Sequence, residues 1–311
     1  MTMSELTYAT IILQMTFRAG TALLLATLGE IYAERSGILN LGVEGMMSMG
    51  AISGFIVAHL TGNPWLGLLV AALVGGIFSI VHAFASITMH ANQIVSGLAL
   101  TMLGLGLSAI IGRGFIGIEL QNTLDTIYIP GLSDLPIIGA LFSLDPIAYI
   151  ALILGVILWY VLYYTRFGLS IRAAGENPSA ADTLGINVYA VRYISVIIGG
   201  ALAGLAGAHL TLSYTPTWIE GMTAGKGWIA IGLTIFAFWS PAKAILGAYL
   251  FGGIEVLQFP LQAQGIPTDI SGMLPYIFTI IALMFGARER IRKKVGAPAA
   301  LAIPYIREEK T

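Results

Sequence analysis

The sequence predicts an all-α protein built into a membrane, on three observations. Of 311 residues, 57% are hydrophobic and only 10% charged, with a mean hydropathy of +0.86; a soluble domain carries about 25% charged residues. Apolar runs of the ~20 residues that a spanning helix needs recur along the chain. The 38 glycines fit membrane helices, where glycine is commoner than in soluble ones. No cysteine is present, which excludes disulfides, thiolate metal sites and cysteine nucleophiles. A net charge of −1 argues against a nucleic-acid partner.

Nine spans are expected, within a range of eight to ten: 8–32, 38–60, 65–87, 92–112, 146–164, 191–213, 227–240, 243–262 and 271–287. The seventh is short. The opening "MTMSELTYAT" lacks the basic stretch of a signal peptide, so the first span is read as retained. With the N-terminus outside and the C-terminus inside, Arg35, Arg166, Arg172, Arg192, Lys243, Arg288, Arg290, Arg292, Lys293, Lys294, Arg307 and Lys310 all face the cytoplasm. Only Arg113 and Lys226 fall outside, with Arg18 inside the first span. Such asymmetry is what the positive-inside rule requires. Loop 113–145, with Glu119, Asp125, Asp134 and Asp145, is then the outer loop. Loop 165–190 is cytoplasmic, and the basic "RERIRKK" (288–294) begins a cytoplasmic tail, 288–311, as an anchor or lipid contact.

The chain reads as one polytopic transmembrane domain with an internal repeat. "VEGMMSMGA" (43–51) resembles "IEGMTAGKG" (219–227), "AALVGGI" (71–77) resembles "AYLFGGI" (248–254), and "VSG" (95–97) resembles "ISG" (270–272), at offsets of 176, 177 and 175. Repeat one (about 8–112, spans 1–4) returns as repeat two (about 191–287, spans 6–9). The single span between them inverts the second copy. Inverted repeats are common among transporters, whose sites lie near mid-membrane between the halves.

One polar stretch interrupts the apolar pattern. In "RAAGENPSAADTLGIN" (172–187), Asn177 is a good N-cap, Pro178 suits the first helical position, and Gly185 can end the helix in a left-handed conformation. The result is a helix of about two turns, 178–184, too short to stand alone in water. It needs something to dock on, its own bundle or another protein, and Ala180, Ala181 and Leu184 suit a shallow groove.

"RAAGENPSAADTLGI" resembles the coupling loop of permease subunits of ATP-binding cassette (ABC) importers, in the branch of ribose-type sugar and branched-chain amino acid permeases. "GEIYAERSGILNLGVEGMMSMGA" (29–51) looks most like the nucleoside permeases of that branch. The resemblance covers nearly the whole chain. It implies a prokaryotic plasma (inner) membrane protein that works with two ATPase subunits, a second homologous permease chain (a heterodimer rather than a homodimer) and an extracytoplasmic solute-binding protein. It implies that Arg172, Ala174, Gly175, Glu176, Asn177, Pro178, Ala181 and Gly185 serve coupling to the ATPase. It also implies that no cofactor belongs to this chain, with ATP-Mg on the partners. The nearest thing to a phosphate loop here, "GMTAGKGW" (221–228), has three residues between its glycines rather than four and Gly227 where Ser or Thr belongs. The chain is therefore read as a permease without its own ATPase activity.

The substrate path is sought where both repeats carry glycine-broken segments, "NLGVEGMM" (40–47) and "WIEGMTAGKGW" (218–228). Their polar members are Asn40, Glu44, Glu220 and Lys226. Glu44 and Glu220 could instead cap half-helix starts with their carboxylates. Asn92 and Gln93 have amides suited to a nucleobase or ribose hydroxyls, with helix capping as the competing role of Asn92. Trp218 and Trp228 are base-stacking candidates or interfacial anchors. Arg18 and Glu255 lie within spans and could line the path. His59, His82, His90 and His209 have no metal-ligand spacing. Few strong charges on the path suit a small neutral polar solute, nucleosides first, with simple sugars or branched-chain amino acids as alternatives. Two other classes remain open: a transporter driven by H⁺ or Na⁺, with Glu44, Glu220 or Glu255 taking up the ion, and a scaffold or channel, which would leave the repeat unexplained.

Overall fold

A computed structural model describes residues 3–286 and 296–307. The basic run 288–294 and Lys310 lie outside the described residues. The helices are α1 (Met3–Arg35), α2 (Val43–Thr61), α3 (Pro64–Ala83), α4 (Gln93–Gly112), α5 (Pro146–Tyr164), α6 (Arg166–Glu176), α7 (Pro178–Thr183), α8 (Val188–His209), α9 (Lys226–Phe236), α10 (Pro241–Ala263), α11 (Thr268–Gly272) and α12 (Leu274–Gly286). A π-helical turn extends α3 through Phe84–Thr88 and another extends α8 through Leu210–Tyr214. Among the described residues seven helices are long and apolar enough to cross a membrane: α1 to α5, α8 and α10. The regions expected as the seventh and ninth spans hold shorter helices, α9 with 11 residues and α12 with 13, the latter set off from α11 at Met273.

Local chemistry sets the boundaries. Asn63 accepts from the Trp65 and Leu66 amides and Asp145 from that of Ala148, each just ahead of a proline at the first helical position. Asn92, Thr165, Asn177 and Asn187 cap α4, α6, α7 and α8 in the same way. Gly62, at φ +67°, closes α2 in the left-handed region.

α1 and α8 form the centre. α1 packs along α10, α8 packs along α3, and α2 fills the space between α3, α4 and α8. The stretch "GGALAGLAG" (199–207) lets backbones touch: a Cβ on Gly207 would stand 1.8 Å from the Met47 carbonyl oxygen, and one on Gly204 2.2 Å from that of Ala71. α6 and α7 lie beyond the Arg35 end of α1, where Gly175 packs against the Arg35 carbonyl. Arg18 bonds the Ser213 carbonyl (3.0 Å) beside the Tyr214 ring, near a buried Asp145–His209 pair, so it is held inside the bundle.

Candidate transport site at the broken segments

α1 and α2 are joined by an extended stretch, Ser36–Gly42, that runs through the interior. Backbone polar groups cannot be left unpaired in a bilayer, so irregular chain at that depth needs protein partners. The Ser36, Gly37 and Ile38 amides return to carbonyls of the last turn of α1, and side chains supply the partners from Leu39 onward. The Leu39 amide donates to Gln93 Oε1 (2.8 Å) and its carbonyl meets His82 Nε2 (3.1 Å). The Asn40 amide donates to Glu30 Oε1 (3.1 Å), the Leu41 carbonyl accepts from Thr101 Oγ1 (2.8 Å), and the Gly42 amide donates to Asn40 Oδ1 (3.0 Å). Asn40 and Gln93 are buried and turned toward this backbone.

The second broken stretch, Thr215–Gly225, leads into α9. At 1.5 Å per residue, the 11 residues of α9 span about 16 Å, roughly half a hydrocarbon core. Beyond its end, Trp239 donates its indole N–H to Glu34, and Arg35 Nε bonds the Trp239 carbonyl (3.1 Å). α9 therefore starts half a membrane away from the Arg35 end of α1. There it meets the start of α2. Glu44, in the first turn of α2, accepts from the Gly225 amide (2.8 Å, Oε1) and the Gly227 amide (2.6 Å, Oε2). One buried carboxylate, carried on the first turn of α2, thus caps the start of the short helix α9 at its positive dipole end.

Two further pairs surround this point. Lys226 Nζ forms an ion pair with Glu255 of α10, both side chains mostly buried. The Tyr276 hydroxyl donates to the Ala224 carbonyl. The Lys226–Glu255 pair gives Glu255 a cationic neighbour that the sequence did not identify.

The remaining sequence candidates lie apart. Asn92 is exposed and caps α4 through the Ile94 and Val95 amides (3.0 and 3.1 Å). Glu220 is exposed and caps no helix start, unlike Glu44. Trp228 is half exposed, whereas Trp218 is fully buried against Gly112 at the end of α4. Sequence reasoning passed over Glu30, Glu34 and Thr101, all buried. The spacing of the two glutamates, one turn apart at the end of an apolar span, was the available signal.

At the other candidate region, Asn177 Oδ1 accepts from the Ala180 amide (3.0 Å) and Gly185 adopts φ +86°. α7 turns Ser179, Ala180, Thr183 and, just past its end, Leu184 outward, with Leu184 82% exposed. Ala181 is buried against its own chain, so the outward apolar face consists of Ala180 and Leu184 alone. Ala174 and Gly175 are buried, Arg172 lies over the Tyr163 ring (5.4 Å), and Glu176 accepts from the Ala299 amide (3.3 Å).

Residues 11–283 match the family described as the permease component of branched-chain amino acid transport systems. The chain belongs to this permease family. A Haloferax volcanii protein, provisionally named a glucose ABC transporter permease, is 41% identical over 97% of this chain and 99% of its own length. A guanosine ABC transporter permease of Bacillus subtilis is 37% identical over 96% of this chain and 97% of its own. A nucleoside ABC transporter permease of Lactococcus lactis is 36% identical over 93% and 94%. The chain is a multi-pass permease subunit of an ABC importer and not itself an enzyme; permeases of this family act with ATPase and substrate-binding partners.

Proposed function

We propose that this permease moves nucleosides across the plasma membrane, N-terminus outside and C-terminus inside, as one half of a heterodimer with a homologous permease. Two ATPase subunits with bound ATP-Mg dock below and a solute-binding protein delivers substrate above. The observation that carries the reading is the compensated charge at the broken segments. Glu44 is engaged by two backbone amides and Glu255 by Lys226, so the buried charges where α9 begins are compensated. That suits a neutral polar solute, and relatives 36% and 37% identical are named for nucleosides and guanosine. The same pairing disfavours ion coupling through either carboxylate. The 41% identity to a protein named for glucose favours a second reading, a simple sugar.

The same proposal takes the architecture as nine crossings in an inverted repeat, with α1, α2, α3 and α4 answering to α8, α9, α10 and α11–α12. What supports it is reciprocity. α1 packs on α10 as α8 packs on α3, the exchange a two-fold relation requires. Pro64 and Pro241 open α3 and α10 at an offset of 177. Gly75 and Gly252, at the same offset, each abut a glycine of the opposite central helix, Gly200 and Gly20. α7, capped by Asn177, closed by Gly185 and seated by Ala174, Gly175 and Ala181, presents Ala180 and Leu184 to the ATPase. Arg172, Glu176 and Pro178 hold it in place. Asn40, Asn92, Gln93, Glu220 and Lys226 belong to the path or to its frame.

The test is uptake by the complete importer in proteoliposomes containing ATP, with labelled guanosine and glucose compared. ATP-dependent guanosine accumulation is expected. Accumulation of glucose alone would establish the sugar reading, and uptake that follows an ion gradient without ATP would overturn both.

A further inference from the structure

The segment 296–307 does not leave the bundle as a free tail. It crosses the face that carries α7 and touches four parts of the molecule in turn. The Ala300 amide donates to the Gly175 carbonyl (2.8 Å) and that of Ala302 to the Gly37 carbonyl (3.2 Å). The Tyr305 carbonyl is met by His90 Nε2 (3.1 Å), beyond α3, and by the Tyr189 hydroxyl (3.3 Å), on α8. Arg307 pairs with Asp182 of α7 (2.9 Å). Ala300 and Tyr305 are buried, so the segment is seated rather than merely adjacent. Burial, reinforced by the neighbouring Asp182 carboxylate, raises the Tyr305 hydroxyl above the usual tyrosine range and keeps it neutral.

Arg192 stands at the hub. It is 2% exposed, Nε bonds the Ser36 carbonyl (3.1 Å), Nη1 the Ile303 carbonyl (3.5 Å), and its guanidinium lies 6.0 Å from the Tyr305 ring centroid. Ser36 and Gly37 are the first residues of the broken stretch that leads into α2, whose first turn carries Glu44. A continuous set of packed and hydrogen-bonded groups therefore runs from Asp182 through Tyr305 and Arg192 to the Ser36–Gly37 corner. We propose that segment 296–307 is a strap that transmits displacement of α7 to the first broken segment, with Tyr305 and Arg192 as positioning residues. The inference rests on the reading that α7 is where the ATPase docks.

The chain has no cysteine, which makes a clean background for cross-linking. Three variants of the complete importer separate the strap from the docking reading. Tyr305→Ala is expected to keep the ATPase subunits bound and basal hydrolysis unchanged. Stimulation of hydrolysis by loaded binding protein, and uptake with it, should fall about tenfold, within the range of ordinary coupling free energies. Tyr305→Phe keeps the ring and should recover most of both. Asp182→Cys with Arg307→Cys, joined by a short thiol cross-linker, should leave uptake intact, because strap and helix travel together. Leu184→Glu should release the ATPase, which tests the docking reading alone. Unchanged stimulation in Tyr305→Ala, or loss of uptake on cross-linking, would overturn the strap while leaving docking standing. If Leu184→Glu keeps full ATPase binding, the docking reading fails whatever the strap variants do. If Tyr305→Ala does not fold, the cross-linked variant still decides the inference.

Discussion

The two broken segments, one leading into α2 and the other into α9, are built in different ways. Ser36–Gly42 is buried or half-buried throughout, and its backbone is pinned by Glu30, His82, Gln93 and Thr101 from three helices. Thr215–Gly225 pairs near its start with residues 116–120, through the Leu120 amide on the Pro216 carbonyl (3.0 Å) and bridges at Thr217 and Trp218, and from Ile219 onward bonds mostly to itself, through tight turns such as Met222 to Ile219 (3.2 Å) and Ala224 to Gly221 (2.9 Å). Ile219, Glu220 and Gly221 are exposed. Gly221, Ala224 and Gly225 sit at positive φ of 73°, 46° and 78°. A non-glycine residue such as Ala224 holds that conformation only under constraint from its surroundings. The first segment is anchored by side chains of the bundle; in the second, Pro216–Trp218 are held by the 116–120 stretch and by the buried Trp218, whereas residues 219–225, next to α9, are attached chiefly by Glu44 and Tyr276. A transporter with one fixed and one lightly held half-helix start can move the second against the first.

The attachment of the second segment can be removed directly. Glu44→Ala leaves the Gly225 and Gly227 amides unpaired in the interior, each such loss costing about 1–3 kcal/mol. The largest effect is expected here: a steep fall in thermal stability in detergent and no uptake. Glu44→Gln retains one acceptor oxygen and should fall between. Parental stability in Glu44→Ala would mean that the second segment is held by something else.

Next comes the ion pair beside it. Lys226→Met alone strands Glu255. Both side chains keep some solvent access, so the cost is discounted from that of a fully buried pair to about 1–2 kcal/mol. Lys226→Met combined with Glu255→Gln should restore stability. Recovery of folding without recovery of guanosine uptake would place the pair on the path, and recovery of both would make it framework only.

How much of this was legible in the sequence depends on the range of the interactions. The seven long helices follow from apolar length, and the caps at Asn92, Asn177 and Asp145 from residues adjacent to the amides they accept. The polar residues of the broken segments were visible as anomalies. Their partners were not: Glu44 reaches residues 181 and 183 positions away, and Lys226 reaches Glu255 on another helix. Periodicity could not assign Ala181 to the inner face, because six residues do not define a stripe. The strap was hidden because "GAPAALAIPYIR" carries no helix or strand pattern, and all its meaning lies in long-range contacts. A hydropathy window also merges α11 and α12, because the break at Met273 changes the backbone and not the polarity.

The smallest effects come from substitutions that leave both segments folded. Gln93→Ala removes the acceptor from the Leu39 amide in the anchored segment, a loss of about 1 kcal/mol. Glu220→Ala changes an exposed side chain in the lightly held one, where stability should move by no more than about 0.5 kcal/mol. Transport is expected to respond in the reverse order. A frame residue that still folds leaves guanosine uptake near parental, whereas a path residue lowers it without touching stability. Amide hydrogen exchange supplies the independent readout, because local opening reports how firmly each segment is held. Leu39 and Asn40 should exchange slowly in the parent and faster in Gln93→Ala, while Met222 and Ala224 should exchange fast in every variant. Equal protection of the two segments in the parent would remove the asymmetry, and with it the argument that α9 is the half-helix that moves.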